Sequence, residues 1–532
     1  MRFEADTITL GARRLAVDQY DDLDLSASKG LFLFGNGRLT TEGNFTAETP
    51  FITAAGPATQ KIVAGGSLQI LKPKGVVTPD RAGALGASLS LQGTSVTATS
   101  DVLLPSGLFS ARATTGDVVV GGDINVSGTA RSFFDVIKYT DGGKISLSSD
   151  RGSVNVNKRA TLSVGALAGG GSGGSLSISA AKGEVNLLGS LYAKGGLNGT
   201  DGSFSLDVGQ LPQFGKLNDV LDAGYFTESR SFRVRDGDVF VGGKSIARHF
   251  DLSADAGSIT VSGTIDASGQ TGGSIELSAN GSLTLLNGSQ LTVAGKDFDA
   301  AGKGGAISLE AGAQRNGVYD NSGTLDGDGS YDSGAILDIR EGSEIDLSVA
   351  SNTAASSAQG RFSGTLHLRA PRTASGTEVQ INPIDGLIRG ASSIIVEGYK
   401  IYDLNPSLVP DAAGLITTAI KNLIKADAVN FVGTAGTPST PELRRLAMPR
   451  CWPACLEPAN AGLDPVLSIR PRRGAHRSQR KHHSRHQQRL GRQRLEFANL
   501  PVRAQERAWR ADYAGEGQSD FSECPQRWLR RG

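Results

Sequence analysis

Cysteine and tryptophan are absent from the first 450 residues of this 532-residue chain. Cys451, Cys455, Cys524, Trp452, Trp509 and Trp528 all lie beyond that point. No disulfide framework can therefore support most of the molecule. Aromatic residues are scarce, at 6%. No apolar run approaches the ~18–20 residues needed to cross a bilayer, so no transmembrane helix is expected. Neither sign of charge dominates, since 54 Lys and Arg face 53 Asp and Glu. Met1-Arg2-Phe3-Glu4-Ala5-Asp6 lacks the basic and apolar regions of a signal peptide. What the chain has in abundance is glycine, 71 residues without a G-X-Y period, which excludes collagen and points to a turn-rich β protein.

The averages hide a break near residues 440–450. From Pro441 onward, 18 Arg and one Lys face nine acidic residues, a surplus of ten positive charges. Before it, 35 basic residues face 44 acidic ones, and 65 of the 71 glycines lie there. Two unrelated compositions are joined in one chain.

The first composition is a repeat. Gly142-Gly143-Lys144-Ile145-Ser146-Leu147 matches Gly173-Gly174-Ser175-Leu176-Ser177-Ile178 at a shift of 31, which also pairs Val154 with Val185 and Val156 with Leu187. Further copies begin at Gly272-Gly273 and at Gly304-Gly305, with half-copies such as Gly257-Ser258-Ile259-Thr260-Val261-Ser262-Gly263 between them. The phrase G-G-x-I-x-L-x(4–5)-G-x-V-x-V alternates apolar and small polar residues, the period of a strand with one buried face. One such pair of strands cannot bury its apolar face alone, whereas stacked copies can. The pattern runs from about Thr7 to Ala370, too far for a sandwich that closes after roughly 100–200 residues. The expected fold is all-β, a right-handed parallel β-helix. At ~20–25 residues per rung and ~4.8 Å between strands, it would have about 16–20 rungs and a length on the order of 80–95 Å.

Two stretches break the alternation. Phe214, Leu217, Val220 and Leu221 have helical spacing, so Pro212–Ala223 reads as a helical excursion from the rod. Asp411 can cap a second helix, with Leu415, Ile416, Ala419, Ile420, Leu423 and Ile424 forming a core-facing stripe, and Ala428–Val432 reads as a strand after it. The expected organisation is β-helix repeats over 1–210, a helical excursion over 211–230, repeats over 231–400, and a capping or junction segment over 401–432. A linker over 433–447 and a disordered basic tail over 448–532 complete it.

The repeat phrases, the small-residue turns and the lack of cysteine over residues 1–430 resemble the filamentous haemagglutinin family of large bacterial exoproteins. The resemblance implies a secreted or surface-attached β-helical adhesin, exported by an outer-membrane two-partner transporter and attaching to host or bacterial surfaces. A cysteine-free chain suits passage through a narrow pore, because no disulfide can form in transit. Phe3-Glu4-Ala5-Asp6-Thr7-Ile8-Thr9-Leu10 resembles the middle of such a rod, and no secretion domain is recognisable at the start. Asn405-Pro406-Ser407-Leu408 is similar to the family's Asn-Pro motifs but lies at the wrong end and reads as a loop turn. An internal fragment of a longer exoprotein is the expected status. A related alternative is the stalk of a contact-dependent growth-inhibition toxin.

The tail offers three readings. The His- and Arg-rich run Ala475–Arg489 could bind nucleic acid or an anionic surface. Cys451 and Cys455 with His482, His483 and His486 lack a convincing zinc spacing. Translation in the wrong frame accounts best for the abrupt arrival of every Cys and Trp, and another frame should then restore the β pattern. No packed core is expected there and no nucleic-acid partner is assigned.

Chemistry-bearing motifs are thin. Gly242-Gly243-Lys244-Ser245 ends like a phosphate loop, but Asp238 stands where the first glycine belongs. Gly169–Gly174 matches G-x-G-x-x-G only through its glycine content. Asp326, Asp328, Ser330 and Asp332 could approach a calcium ion, but Leu337 replaces the bidentate Glu of an EF-hand. Asp236 and Asp238 beside Arg235 are the nearest approach to a polysaccharide-cleaving acidic cluster, and alternation places Arg235 on the opposite face. His249 and His367 stand alone in repeat phrases, without a Ser or Cys constellation. No catalytic, cofactor-binding or metal-binding residue is assigned, and no cofactor or catalysis is expected.

Overall fold

The computed structural model describes residues 1–75, 83–297, 304–313, 318–319, 325–326, 334–351, 364–403, 418–432, 466–469 and 494–496. Most of these lie in strands, and nearly all pairings are parallel, giving an all-β, solenoid-like stack of long sheets. A complete rung contributes three strands. One such rung runs Lys144–Ser149, Val154–Val156 and Thr161–Ser163; the next runs Ser175–Ala180, Val185–Leu187 and Ser190–Tyr192. The longest strand of each rung joins the largest sheet, the second strands Val154–Val156 and Val185–Leu187 stack in a separate eight-stranded sheet, and the third strands Thr161–Ser163 and Ser190–Tyr192 pair with each other.

The register is the one that the sequence self-alignment gives. Ile145 lies beside Leu176, Val154 beside Val185 and Ile275 beside Ile307. Alternation turns Ile145, Leu147, Leu176 and Ile178 inward, where each is at most 1% exposed. The intervening serines face outward. The paired glycines of the phrase have a steric cause. A Cβ on Gly174 would lie 1.9 Å from the Gly143 carbonyl oxygen, and one on Gly143 would lie 2.0 Å from that of Gly107. Each rung therefore enters its long strand against the backbone of the previous one.

Rung length differs from expectation. Ser88, Leu108, Lys144, Ser175, Ser203, Ser229, His249, Ser274, Ala306, Thr365 and Ser393 form one column along the long sheet. The steps range from 20 residues (Ser88 to Leu108) to 59 (Ala306 to Thr365), so this part has fewer rungs than an assumed 20–25 residues would give. At about 4.8 Å per step these eleven rungs span roughly 50 Å. Part of the extra length is inserted at a corner. It is an antiparallel hairpin, Ala130–Phe133 with Val136–Tyr139, between the rungs at Leu108 and Lys144.

Helix α1, Phe214–Ala223, is present but is not an excursion. It takes the place of both short strands in the rung that begins at Ser203, packing between Ser190–Tyr192 on one side and Val239–Val241 and Lys244–Ile246 on the other. Phe214, Asn218 and Leu221 are buried. The short sheets stop and restart across it, whereas the long sheet continues without a break.

Helix α2 spans Thr418–Val432, so Ala428–Val432 is helical rather than a strand. The same residues satisfy both periods, and Phe431 decides between them. Its ring is buried and lies 5.0 Å beneath the Arg372 guanidinium, while Lys400 pairs with Asp427 one turn earlier at 2.6 Å. Of the apolar stripe, Leu423 is exposed and Ile424 half-buried, the side chains of Ala419 and Ile420 lie outside the described residues, and Phe431 is the buried residue among those described. Asp411, Leu415, Ile416 and Asn405–Leu408 lie outside the described residues.

The tail is also not wholly without structure. Val466–Ile469 adds a parallel strand beside Ser393–Val396, and Arg494–Glu496 pairs antiparallel with Ile401–Asp403. Val466-Leu467-Ser468-Ile469 is a short alternating phrase, and the edge of the last rung offers unpaired backbone groups to it. The cysteines and the His482–His486 cluster lie outside the described residues.

Candidate functional site

The long sheet presents its outward residues in straight columns. The middle column runs Ser90, Ser110, Ser146, Ser177, Ser205 and Ser231, then Asp251, Glu276, Ser308 and His367. Six hydroxyls thus repeat at the strand spacing of about 4.8 Å, with Ser205 Oγ donating to Ser177 Oγ at 2.9 Å. The column then becomes acidic, and Ser231 Oγ donates to Asp251 Oδ2 at 2.9 Å.

The neighbouring column holds Arg112, Asp207 and Arg233, whose partners Asp150, Arg235 and Asp255 lie just past the strand ends. Arg112 grips Asp150 through Nε (3.1 Å) and Nη2 (2.7 Å), which raises the guanidinium pKa above its ordinary value. Arg233 pairs with Asp255 at 2.6 Å, and Arg235 grips Asp207 at 2.6 and 2.7 Å. The Arg235 expectation needs correcting, because the long strand ends at Val234 and alternation no longer applies. Asp236 and Asp238 are exposed on the turn, and Arg235 is committed to Asp207.

Near the far end, Glu310, Arg369 and Glu397 occupy one column on three successive rungs. Arg369 is buried between the two carboxylates, and its guanidinium lies 3.9 Å over the Tyr399 ring. His367 Nε2 is 3.0 Å from Glu397 Oε2, so His367 is not isolated. Its partner is 30 residues away in sequence, which hid the pair. The signal was present in the fifth position of each phrase (Glu310, Arg369, Glu397), which only a rung-by-rung alignment exposes. Arg369 and Glu397 are 4% and 7% exposed, too enclosed for a polymeric substrate to reach. His249 is exposed, with Nδ1 2.9 Å from Ser274 Oγ.

An inward arginine is the feature that sequence reading missed. Arg230 occupies the column of Phe204 and Phe250, where other rungs bury Ile, Leu or Phe, and its side chain is 0% exposed. The fork is spent on the α1 rung. Nε donates to the Phe226 carbonyl and Nη1 to Asn218 Oδ1, both at 2.8 Å, and Nη2 pairs with Asp222. Burial pulls this guanidinium below its ordinary pKa, opposed by the Asp222 charge and hydrogen bond. Arg230 thereby ties the one helical rung to the long sheet.

The remaining motifs resolve into structure. Gly243 has φ +71° at the turn before Lys244–Ile246, and Ser245 points into the core, away from any phosphate. Gly169 and Gly170 lie under the Tyr139 ring, where a Cβ on Gly169 would fall 2.3 Å from Tyr139 Cζ. Of the acidic loop, Asp328, Ser330 and Asp332 lie outside the described residues, as does the side chain of Asp326. Among the described residues, no group of three His, Cys, Asp or Glu side chains could hold a metal ion, and no helix is long and apolar enough to cross a membrane.

No family model, curated protein or solved structure matches this chain.

Proposed function

We propose that this chain is a rod segment of a secreted bacterial adhesin-like exoprotein, wound as a right-handed parallel β-helix. It presents an extended surface to host cells or neighbouring bacteria. The observation that supports this reading is the uninterrupted long sheet, whose outer columns repeat small hydroxyl and paired charged groups from rung to rung. Recognition by such a face is distributed and rigid. The charged side chains that do converge, around Arg369, are buried in ion pairs. Export by an outer-membrane two-partner transporter belongs to the same proposal, and the cysteine-free first 450 residues are compatible with it. A toxin stalk would share this architecture and differ in what lies beyond it.

The competing class is a polysaccharide-processing enzyme. Incubating the chain with a panel of bacterial and plant polysaccharides separates the two. The proposal expects polymers of unchanged length, whether retained or not; released oligosaccharides would overturn it.

A further inference from the structure

The corner hairpin Ala130–Tyr139 stands outside the stack, and all its strand residues except Ala130 are exposed. Its two-residue turn is Phe134-Asp135, and Phe134 is 105% exposed at φ +54°. Glycine or asparagine is the usual choice for that conformation, and a bulky residue there is strained. Among the described residues this phenylalanine is fully exposed, so no packing there offsets its strained backbone. Phe133, Val136 and Ile137 extend the apolar tip on both faces of the ribbon. One step behind it, Arg131 lies directly opposite Lys138. Like charges facing each other across two strands are mutually repulsive. The base is firm, since Thr129 and Thr140 exchange hydrogen bonds and Tyr139 packs over Gly169 and Gly170.

We propose that this hairpin docks the rod on an anionic lipid surface. A bilayer can enclose both faces of a ribbon at once, as a flat protein partner cannot. The cations sit two to three residues behind the tip, about 7–10 Å at strand rise. That matches the depth to which interfacial segments bury their apolar side, so the Arg131–Lys138 pair reaches the phosphates whose charge relieves its repulsion. Asp135 opposes insertion and sets its depth. The inference is independent of the adhesin reading, which concerns the face of the long sheet.

Co-sedimentation of the full chain with phosphatidylcholine vesicles, with and without about one-third phosphatidylglycerol, tests it. Binding is expected to the anionic vesicles and to weaken with salt. Phe134→Asn should reduce it roughly tenfold or more without lowering the melting temperature, because asparagine suits the turn. Phe134→Leu should retain binding, Asp135→Asn should strengthen it, and Arg131→Glu with Lys138→Glu should abolish it. Equal binding to neutral vesicles, no vesicle binding, or binding unchanged by Phe134→Asn would each overturn the proposal. So would self-association that Phe134→Asn dissolves while vesicles are ignored, because the tip would then dock a second copy.

Discussion

Replacing Arg230 with methionine removes the guanidinium while keeping much of the side-chain volume, inside a column otherwise lined by Phe204 and Phe250. Three acceptors lose their donor: the Phe226 carbonyl, Asn218 Oδ1 and Asp222. Asn218 is 0% exposed, so its orphaned oxygen bears a full desolvation cost of about 1–3 kcal/mol. Breaking a buried ion pair by deleting one member costs about 3–5 kcal/mol. That figure needs discounting here, because Asp222 keeps 22% of its side chain exposed and still accepts from the Ile246 amide at 3.2 Å. A loss of about 3 kcal/mol is therefore expected. It is measurable as a shifted urea midpoint followed by far-ultraviolet circular dichroism. Removing the stranded partners as well, by adding Asn218→Leu and Asp222→Leu, should recover most of the loss, since apolar replacements of buried ion pairs are often neutral. A loss under about 1 kcal/mol for Arg230→Met alone would refute the claim that this fork holds the helical rung in the stack.

Other substitutions test other parts of the account. Gly174→Ala places a Cβ 1.9 Å from the Gly143 oxygen and should cost roughly 2 kcal/mol, whereas Gly11→Ala meets nothing within 4 Å and should be close to neutral in the same melts. Burial raises the pKa of Asp266, but hydrogen bonds from Ser268 and the Lys244 charge outweigh it and leave the carboxyl lowered. A lowered carboxyl stabilises the fold above the ordinary carboxylate range and loses that contribution as pH falls below about 4. Ser268→Ala should therefore move the acid transition to higher pH, which a pH titration of ellipticity would detect. Removing residues 433–532 takes away the strand beside Ser393–Val396 and the one beside Ile401–Asp403. Stability in a stack is a sum of neighbouring terms, so hydrogen exchange should quicken over residues 391–403 and stay unchanged at Ile145 and Leu147. A general loss of protection would contradict that additivity.

The repeated part of the fold was legible because each rung solves the same problem with the same residues. Ile145 and Leu176 stack on each other, so they read alike, and the shift between them in sequence is their register in space. The glycine pairs were legible for the same reason, since each abuts the backbone of the previous rung. Features that occur once were not. Arg230 breaks the apolar column; alternation with Phe232 and Val234 turns it inward, but nothing local marks its partner as a helix residue twelve positions upstream. The Ala428–Val432 segment alternates like a strand, but as a helix with Asp427 it brings Phe431 to Arg372 and Asp427 to Lys400, which follow the strands Gly364–Pro371 and Ala391–Tyr399. Rung length was misjudged because corners take insertions freely, and the hairpin that lengthens one rung leaves the stacked register intact.

The central claim is that the rod acts by presenting its surface. Beads coated with the native chain, against beads coated with the same chain after heat unfolding, can be scored for retained epithelial and bacterial cells under flow. The account predicts saturable retention on the native beads alone, competed away by soluble chain. Retention equal on native and unfolded beads, or none on either, would contradict it.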